Sequence, residues 1–397
     1  MKFIIEASLV PIYNRIAIAF TQTLKEFGHT VYFIDSSGFS EADFVKTIND
    51  IEFDYYISTN ELNVIQKKSE ADETFLFEKI QSKIIFIHHD NLFSAFHSIS
   101  YICSKLQALS SISNRSNHYC LEASNVDLLK ASGIRNTNKI NHASEFLVEP
   151  SNSPSQWGVT FIGHLMSSLH LYPTDSLPCG QHLQSMAWNR ISLSSFAVQT
   201  QIKKIVKDPY VISSLGPDAD KNISATEQFL IAGLNKLSSP MRGQLISTIK
   251  EQRIDIFGGD LSYGQIKDPL LVLQQSNVHY QPATQNYGDA SGIYQNSRIN
   301  LNISSLQFDT AVNNRFIDVV LSGGFILTDK RGDLEKICSL ANEISFESVE
   351  ELSYKINYYM DPRNDKKYND IKFTLNDEIK KNCNYHKVVQ TIIKSLN

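Results

Sequence analysis

Asn300–Glu335 reads NLNISSLQFDTAVNNRFIDVVLSGGFILTDKRGDLE, and the order of its parts decides the fold class. Asn300–Ile303 alternates apolar and polar residues and predicts a short strand, while Asn313–Leu321 spaces its apolar residues along one helix face. Ser322-Gly323-Gly324 ends that helix, since glycine takes the left-handed conformation without a steric penalty, and Phe325–Leu327 opens the next strand. The loop Ser304–Val312 delivers the chain to the helix N-terminus, where unpaired backbone N–H groups and the helix dipole favour an anion. Arg315 and Asp318 lie three residues apart and share a face. Two readings of that pair stand: a guanidinium at a diphosphate with a carboxylate at a sugar hydroxyl, as a nucleotide-sugar requires, or a surface ion pair on an ordinary crossover helix.

Outward from this stretch the same grammar repeats. Lys2–Ser8 predicts a strand, Tyr13–Phe27 an amphipathic helix closed by Gly28, and Thr30–Asp35 a second strand, which together make a βαβ unit. Phe53–Ser58 and Lys83–His88 are short apolar runs without strict alternation, as parallel strands covered on both faces require. Asn117–Ala131 and Lys139–Phe146 read as a further helix and strand. The first loop, Ala7–Ile12, lacks the GxGxxG of a dinucleotide site, which removes most support for NAD or FAD. Glu149–Gln156, EPSNSPSQ, has linker composition. Beyond it Gly158–Gly163, Ile254–Gly258 followed by Gly259, and Val278–Gln281 begin a second strand series. The expected organisation is a Rossmann-like domain over residues 1–150, a second over 151–380 with a helical insertion at about 165–236, and a C-terminal helix over 381–397.

Length and composition agree with this organisation. A chain of 397 residues exceeds what one compact core usually holds. A net charge of −5 argues against broad attraction to nucleic acid or anionic membrane, leaving Lys203, Lys204 and Lys207 as a local patch or a solvated helix face. The N-terminal twenty residues are interrupted by Glu6, Pro11, Asn14 and Arg15 and read as a first strand rather than a signal peptide. No apolar run approaches the roughly 20 residues that span a bilayer. Five scattered cysteines, with neither a CxxC pair nor a Cys/His cluster, suit a reduced cytoplasm and no structural zinc.

Two Rossmann-like halves facing a cleft, with a phosphate-binding segment late in the second, resemble a GT-B glycosyltransferase. The second half is similar to the CgeB-like, spore-maturation branch of the group 1 enzymes through FIGH at Phe161–His164, DIFGGDL at Asp255–Leu261, YQNSRINLNIS at Tyr294–Ser304, NRFIDVVLSGGFILTD at Asn314–Asp329 and ISFESVEELSYKINYYM at Ile344–Met360. The first half resembles the family through IIFIHHD at Ile84–Asp90 and through Tyr119–Phe146. This resemblance implies that Arg315 faces donor phosphate and that Asp318, a methylene shorter than the usual glutamate, faces the ribose. A second glutamate of the family falls at Thr310, with Asp309 beside it.

Gly163 and Gly258 are candidates for close backbone approach to the donor, with Gly259 beside the latter. Tyr287 and Tyr294 are candidates for stacking on its base, and Asn302, in the strand before the phosphate loop, is a further donor-binding candidate. His88, His89 and Asp90 follow a buried-type strand, at the carboxyl edge where α/β ligands collect, and are candidates to take an acceptor proton. Alternation turns the two histidines to opposite sides, and His142 is a weaker candidate.

The expected function is transfer of a hexose or pentose from a nucleotide-diphosphate-sugar to a hydroxyl. The resemblance implies retention of configuration. With no DxD motif at a strand end, no metal is expected; Arg315 and the helix N-terminus, with Lys330 or Arg331, would meet the leaving-group charge. The acceptor stays open among glycan, lipid, protein and modified nucleic acid base. The alternatives are a GT-B-shaped binding protein without turnover and a sugar-nucleotide epimerase.

Overall fold

The structure, a computed structural model, describes residues 1–8, 10–60, 63–93, 98–163, 165, 179–192, 198–258, 275–284 and 286–396. His164, Gly259 to Leu261, and parts of the expected insertion (166–178 and 193–197) lie outside the described residues.

Two six-stranded sheets carry the architecture. The first contains β1 (Lys2–Glu6), β2 (Thr30–Ile34), β3 (Tyr55–Thr59), β4 (Lys83–His88), β5 (Ser116–Cys120) and β6 (Thr137–Lys139), in the order β2-β1-β3-β4-β5-β6. The second contains β7 (Trp157–Gly163), β8 (Ile254–Gly258), β9 (Val278–Gln281), β10 (Ser297–Asn302), β11 (Ile326–Asp329) and β12 (Ser345–Phe346), in the order β12-β11-β10-β7-β8-β9. Every neighbouring pair is parallel, with Phe3 in register with Val31 and Tyr55, and Ile299 with Val159. The unbroken apolar strands follow from helices covering both faces: Ile84, Ile85, Phe86 and Ile87 in β4, and Ile326 and Leu327 in β11, are fully buried.

In each sheet the chain builds outward from one strand and then returns to its other side. The reversal lies between β1 and β3 in the first sheet and between β7 and β10 in the second. Connections leave such a pair in opposite directions, which opens a crevice at its carboxyl ends. Gly163 ends β7, and the loop after Asn302 leaves β10.

Asn117–Cys120, read from sequence as the start of a helix, belongs to strand β5. His118, Tyr119 and Cys120 are all fully buried, and β5 pairs on both sides, with β4 and with β6. The helix begins only at Ala123. The next strand is the short β6, so Lys139–Phe146 contributes only Lys139 to it.

The chain forms two compact units, Met1–Asn141 with Pro217–Phe229 and Tyr385–Asn397, and His142–Gly216 with Leu230–Asn384. The division falls earlier than the linker-like Glu149–Gln156 because the preceding segment is bonded into the second unit. Val148 N–H donates to Leu321 O at 2.8 Å, Asn376 Nδ2 donates to Val148 O at 3.2 Å, and Ser144 bridges to Asn384. The segment 217–229 joins the first unit instead of the insertion, and helix Tyr385–Leu396 packs there on helix Pro11–Glu26, with Tyr385 edge-on to Phe20 at 5.4 Å.

Candidate functional site

The second unit concentrates positive charge at the carboxyl ends of β7 and β10. Arg315 is the second residue of helix Asn314–Leu321, whose N-terminus is capped by Asn313 Oδ1, accepting from Phe316 N–H at 3.1 Å. Its guanidinium lies 5.0 Å from the Phe161 ring centroid and is hydrogen-bonded to Tyr294. Gly163 makes room for it, because a Cβ there would stand 2.7 Å from Arg315 Nη2. Gly163 also sits at φ +147°, and its register partner Gly258 at φ +95°, backbone conformations that side chains resist. The neighbour that Gly163 admits is an arginine, and a Cβ on Gly258 would meet Gly163 O at 3.7 Å.

A second guanidinium, absent from the sequence reading, joins Arg315. Arg242, on helix Ser238–Ser247, donates from Nε to Ile303 O at 2.8 Å. Its pKa is pushed down to about 9, chiefly by burial, then by the like charge of Arg315, with Arg331 adding to it and Asp329 opposing. Burial likewise lowers Arg315. Placing like charges together is unfavourable unless an anion compensates them, and Asp318 and Asp329 do so in part. Three buried polar atoms here lack a protein hydrogen bond: Arg315 Nη1, Arg331 Nε and Ser304 Oγ. Such atoms are rare in folded proteins and mark places where a ligand or water is bonded.

Arg331 itself is a structural cation. It is buried, ion-paired to Asp329 at 2.5 Å and bonded to Phe308 O, while Asp329 accepts from Ser304 N–H at 2.8 Å. This holds the loop after β10 against the end of β11. The helices grip the same loop: Leu306 N–H donates to Ser238 Oγ at 2.8 Å, and Asp309 Oδ1 accepts from Val198 N–H, at the start of helix Val198–Ile205, at 2.6 Å. The helical segment therefore supplies Arg242 and fixes the loop leading to Arg315. No motif announced Arg242; its signal is spatial.

Other expected donor residues have internal duties. Asn302 donates to Thr328 Oγ1 at 2.9 Å and accepts from Asn313 Nδ2 at 3.0 Å, so both ends of its amide pin β10 to β11 and to the helix cap. It acts as a strut between these elements. Asp309 accepts from the Val198 N–H as described. Asp318 is buried on the helix that carries Arg315 and favours its charge, so the solvated ion pair does not describe them. Tyr294 is buried and engaged with Arg315, whereas Tyr287, at the start of helix Tyr287–Gln295, is partly exposed. Lys330 turns to Glu347 at 2.6 Å and Glu335 at 3.7 Å.

In the first unit both expected histidines are buried. His88 is buried, its Nε2 3.1 Å from Nδ1 of His118, whose Nε2 lies 3.1 Å from Ser116 Oγ. Burial, then the neighbouring His118 and Lys105, holds His88 well below the usual imidazole range. Both ring nitrogens of His89 are buried, and burial pushes its pKa down to about 3. Neither ring is accessible to an acceptor. His142 is buried as well.

Asp90 is the partly exposed member of the trio. Its Oδ2 accepts from the Tyr13 hydroxyl and, at 3.0 Å, from Asn60 Nδ2, while its N–H donates to Asn60 Oδ1 at 3.3 Å. Asn60, just past β3, takes φ +71° to make this reciprocal pair. The carboxylate is thus held at the carboxyl edge of the sheet, as the strand reading expected. The crevice between β1 and β3 is filled from within. Glu6 is buried there, accepting from Tyr56 OH at 2.9 Å, Val64 N–H at 2.8 Å and Ser36 Oγ at 3.2 Å.

Over the whole chain this architecture matches solved structures. A DNA-modifying β-glucosyltransferase, solved in the presence and absence of uridine diphosphoglucose, aligns at TM-score 0.55 and 14% identity, covering 100% of this chain and 99% of that one. The fold is the GT-B fold. A second GT-B structure, Anabaena HepE in complex with UDP and glucose, matches at TM-score 0.55 and 13% identity over 100% and 99% of the chains. T4 phage BGT, in complex with its UDP-glucose substrate, matches at TM-score 0.55 and 12% identity over the full length of both. Residues 242–394 match the family described as Glycosyl transferase-like, a span that begins at Arg242 and includes Arg315, Asp318 and Arg331. No protein of curated function matches the sequence. Among the described residues no helix is long and apolar enough to cross a membrane.

Proposed function

We propose that this GT-B protein is a glycosyltransferase whose second unit binds the diphosphate of a nucleotide-sugar through Arg242 and Arg315. One observation carries the reading: at the carboxyl end of the sheet's reversal point Arg315 lies against Gly163 with Nη1 lacking a partner, and Arg242, bonded to Ile303 O just past β10, is near enough to feel its charge. A diphosphate would accept from that free Nη1, and as a leaving group it gains negative charge during transfer, so the same contacts strengthen toward the transition state. The partial match to the glycosyl transferase-like family supports this, and UDP, glucose or UDP-glucose in the structural neighbours suggests a UDP-hexose donor.

The finer features are proposals of the same standing. The arginines stand in for a divalent cation, so transfer is metal-independent. Asp90 of the first unit accepts the acceptor hydroxyl's proton. Retention of configuration and placement in the CgeB-like branch rest on the resemblance of Val159–Leu396 to group 1 enzymes. The test is release of UDP from UDP-glucose, with and without EDTA, followed by NMR of the new anomeric proton. EDTA-insensitive turnover lost in Arg315→Ala supports the reading. Absence of turnover across UDP-, GDP- and ADP-sugars with varied acceptors, or turnover that survives Arg315→Ala, overturns it.

A further inference from the structure

At the opposite, amino end of the second sheet a groove of about 220 Å³ lies between the turn Thr248–Gln252, which leads into β8, and helix Val349–Met360. Drug-sized sites run to about 300–1,000 Å³; this one has room for a single ring. One wall is Tyr354, a residue 65% exposed. Scattered exposed aromatics are ordinary, but this ring borders a concave polar site and is backed by Tyr358, with centroids 6.1 Å apart and planes 31° from each other.

The rim opposite is already organised. Glu251 Oε2 accepts from Asn357 Nδ2 at 2.6 Å, and Asn357 Oδ1 accepts from Gln252 Nε2 at 3.0 Å. This chain fixes an amide and a carboxylate beside the ring at little further entropic cost to a ligand. Lys250 adds a donor of opposite sign to Glu251.

We propose that this groove binds one pyranose unit of a neutral glycan. A pyranose has an apolar C–H face that stacks on tyrosine and a rim of hydroxyls that donate to a carboxylate and accept from amide and ammonium N–H groups. The mixed charge of Glu251 and Lys250 suits a neutral polyol better than an anion. The groove is at the strand end opposite Arg242 and Arg315, so the inference stands apart from the donor reading. It supplies a glycan-retaining surface, of the kind that holds a long acceptor or product between turnovers.

Saturation-transfer NMR on the full chain, with neutral tetrasaccharides of glucose, galactose, mannose and N-acetylglucosamine, tests it. At least one tetrasaccharide should show transfer, weakened at least about tenfold by Tyr354→Ala and little changed by Tyr354→Phe. UDP binding, measured in parallel, should be the same in all three proteins. Because Tyr354 is largely exposed, its replacement leaves folding intact. No transfer from any tetrasaccharide, transfer undiminished in Tyr354→Ala, or preference for free nucleosides over the sugars overturns the proposal. Saccharide binding at Tyr354 without UDP binding would separate this site from the donor reading.

Discussion

A Cβ on Gly163 would stand 2.7 Å from Nη2 of Arg315 and 3.3 Å from the Phe161 ring. The end of β7 is thus bare so that a guanidinium can lie across it. Gly163→Ala meets both that contact and a φ of +147°. We expect a stability loss of about 1–3 kcal/mol and at least tenfold weaker nucleotide binding, because the displaced group is Arg315. Denaturant unfolding together with a UDP titration checks both. Unchanged affinity would show that Arg315 does not serve the ligand.

Arg242 should separate function from stability. Its pKa is depressed to about 9 by burial and neighbouring arginines, so it costs the unliganded protein free energy. Arg242→Ala should leave the midpoint of thermal unfolding without ligand unchanged or raised, despite losing the bond to Ile303 O. The same variant should bind nucleotide diphosphate about 1.5–3 kcal/mol more weakly, roughly 10- to 150-fold, the worth of a hydrogen bond to a charged group. Equal loss of stability and affinity would make Arg242 a structural residue.

Acid sensitivity follows from the buried imidazoles. His89 and His118 are held at about 3, and His88 well below its usual range, so the folded state keeps them neutral while the unfolded chain protonates near pH 6.5. The unfolded state then binds more protons, and stability falls as pH drops from about 6.5 toward 3, by up to about 1.4 kcal/mol per pH unit for each histidine. Urea unfolding at pH 7.5, 6.5 and 5.5 should show this slope, flattened in His118→Phe. A flat profile between pH 7.5 and 5.5 would contradict the burial of all three rings.

The route from residues to fold was short, and the route to the site was longer. A strand such as Lys83–His88 was legible because both-sided burial leaves an unbroken apolar run. Asn117–Cys120 was misread because Asn117 and His118 are polar, and the place of His118 in the sheet depends on partners such as Ser116 Oγ. Arg315 was legible from its position after a phosphate-type loop. Arg242 was not, since it arrives from a helix some seventy residues earlier and only tertiary packing brings the two together. Asn302 and Asp309 look like ligands in sequence for the reason they are useful in structure: short polar side chains at strand and helix ends satisfy backbone groups.

Asp90 should matter to turnover alone. Its carboxylate is oriented by Tyr13 and Asn60 on the first unit, while the arginines belong to the second. Asp90→Asn keeps the shape and removes the base, so sugar transfer should fall by about 10²–10⁴, the usual worth of a general base, with UDP affinity within twofold of the parent. A parallel fall in UDP affinity would assign Asp90 a structural role.

The most direct measurement is calorimetric titration of the parent protein with UDP, GDP, ADP and CDP at two salt concentrations. The account predicts that one of them, UDP first, binds at a single site, more weakly at higher salt, and at least tenfold more weakly in both Arg242→Ala and Arg315→Ala. Absence of binding by all four, or binding that both arginine variants retain, would contradict a donor site at the ends of β7 and β10.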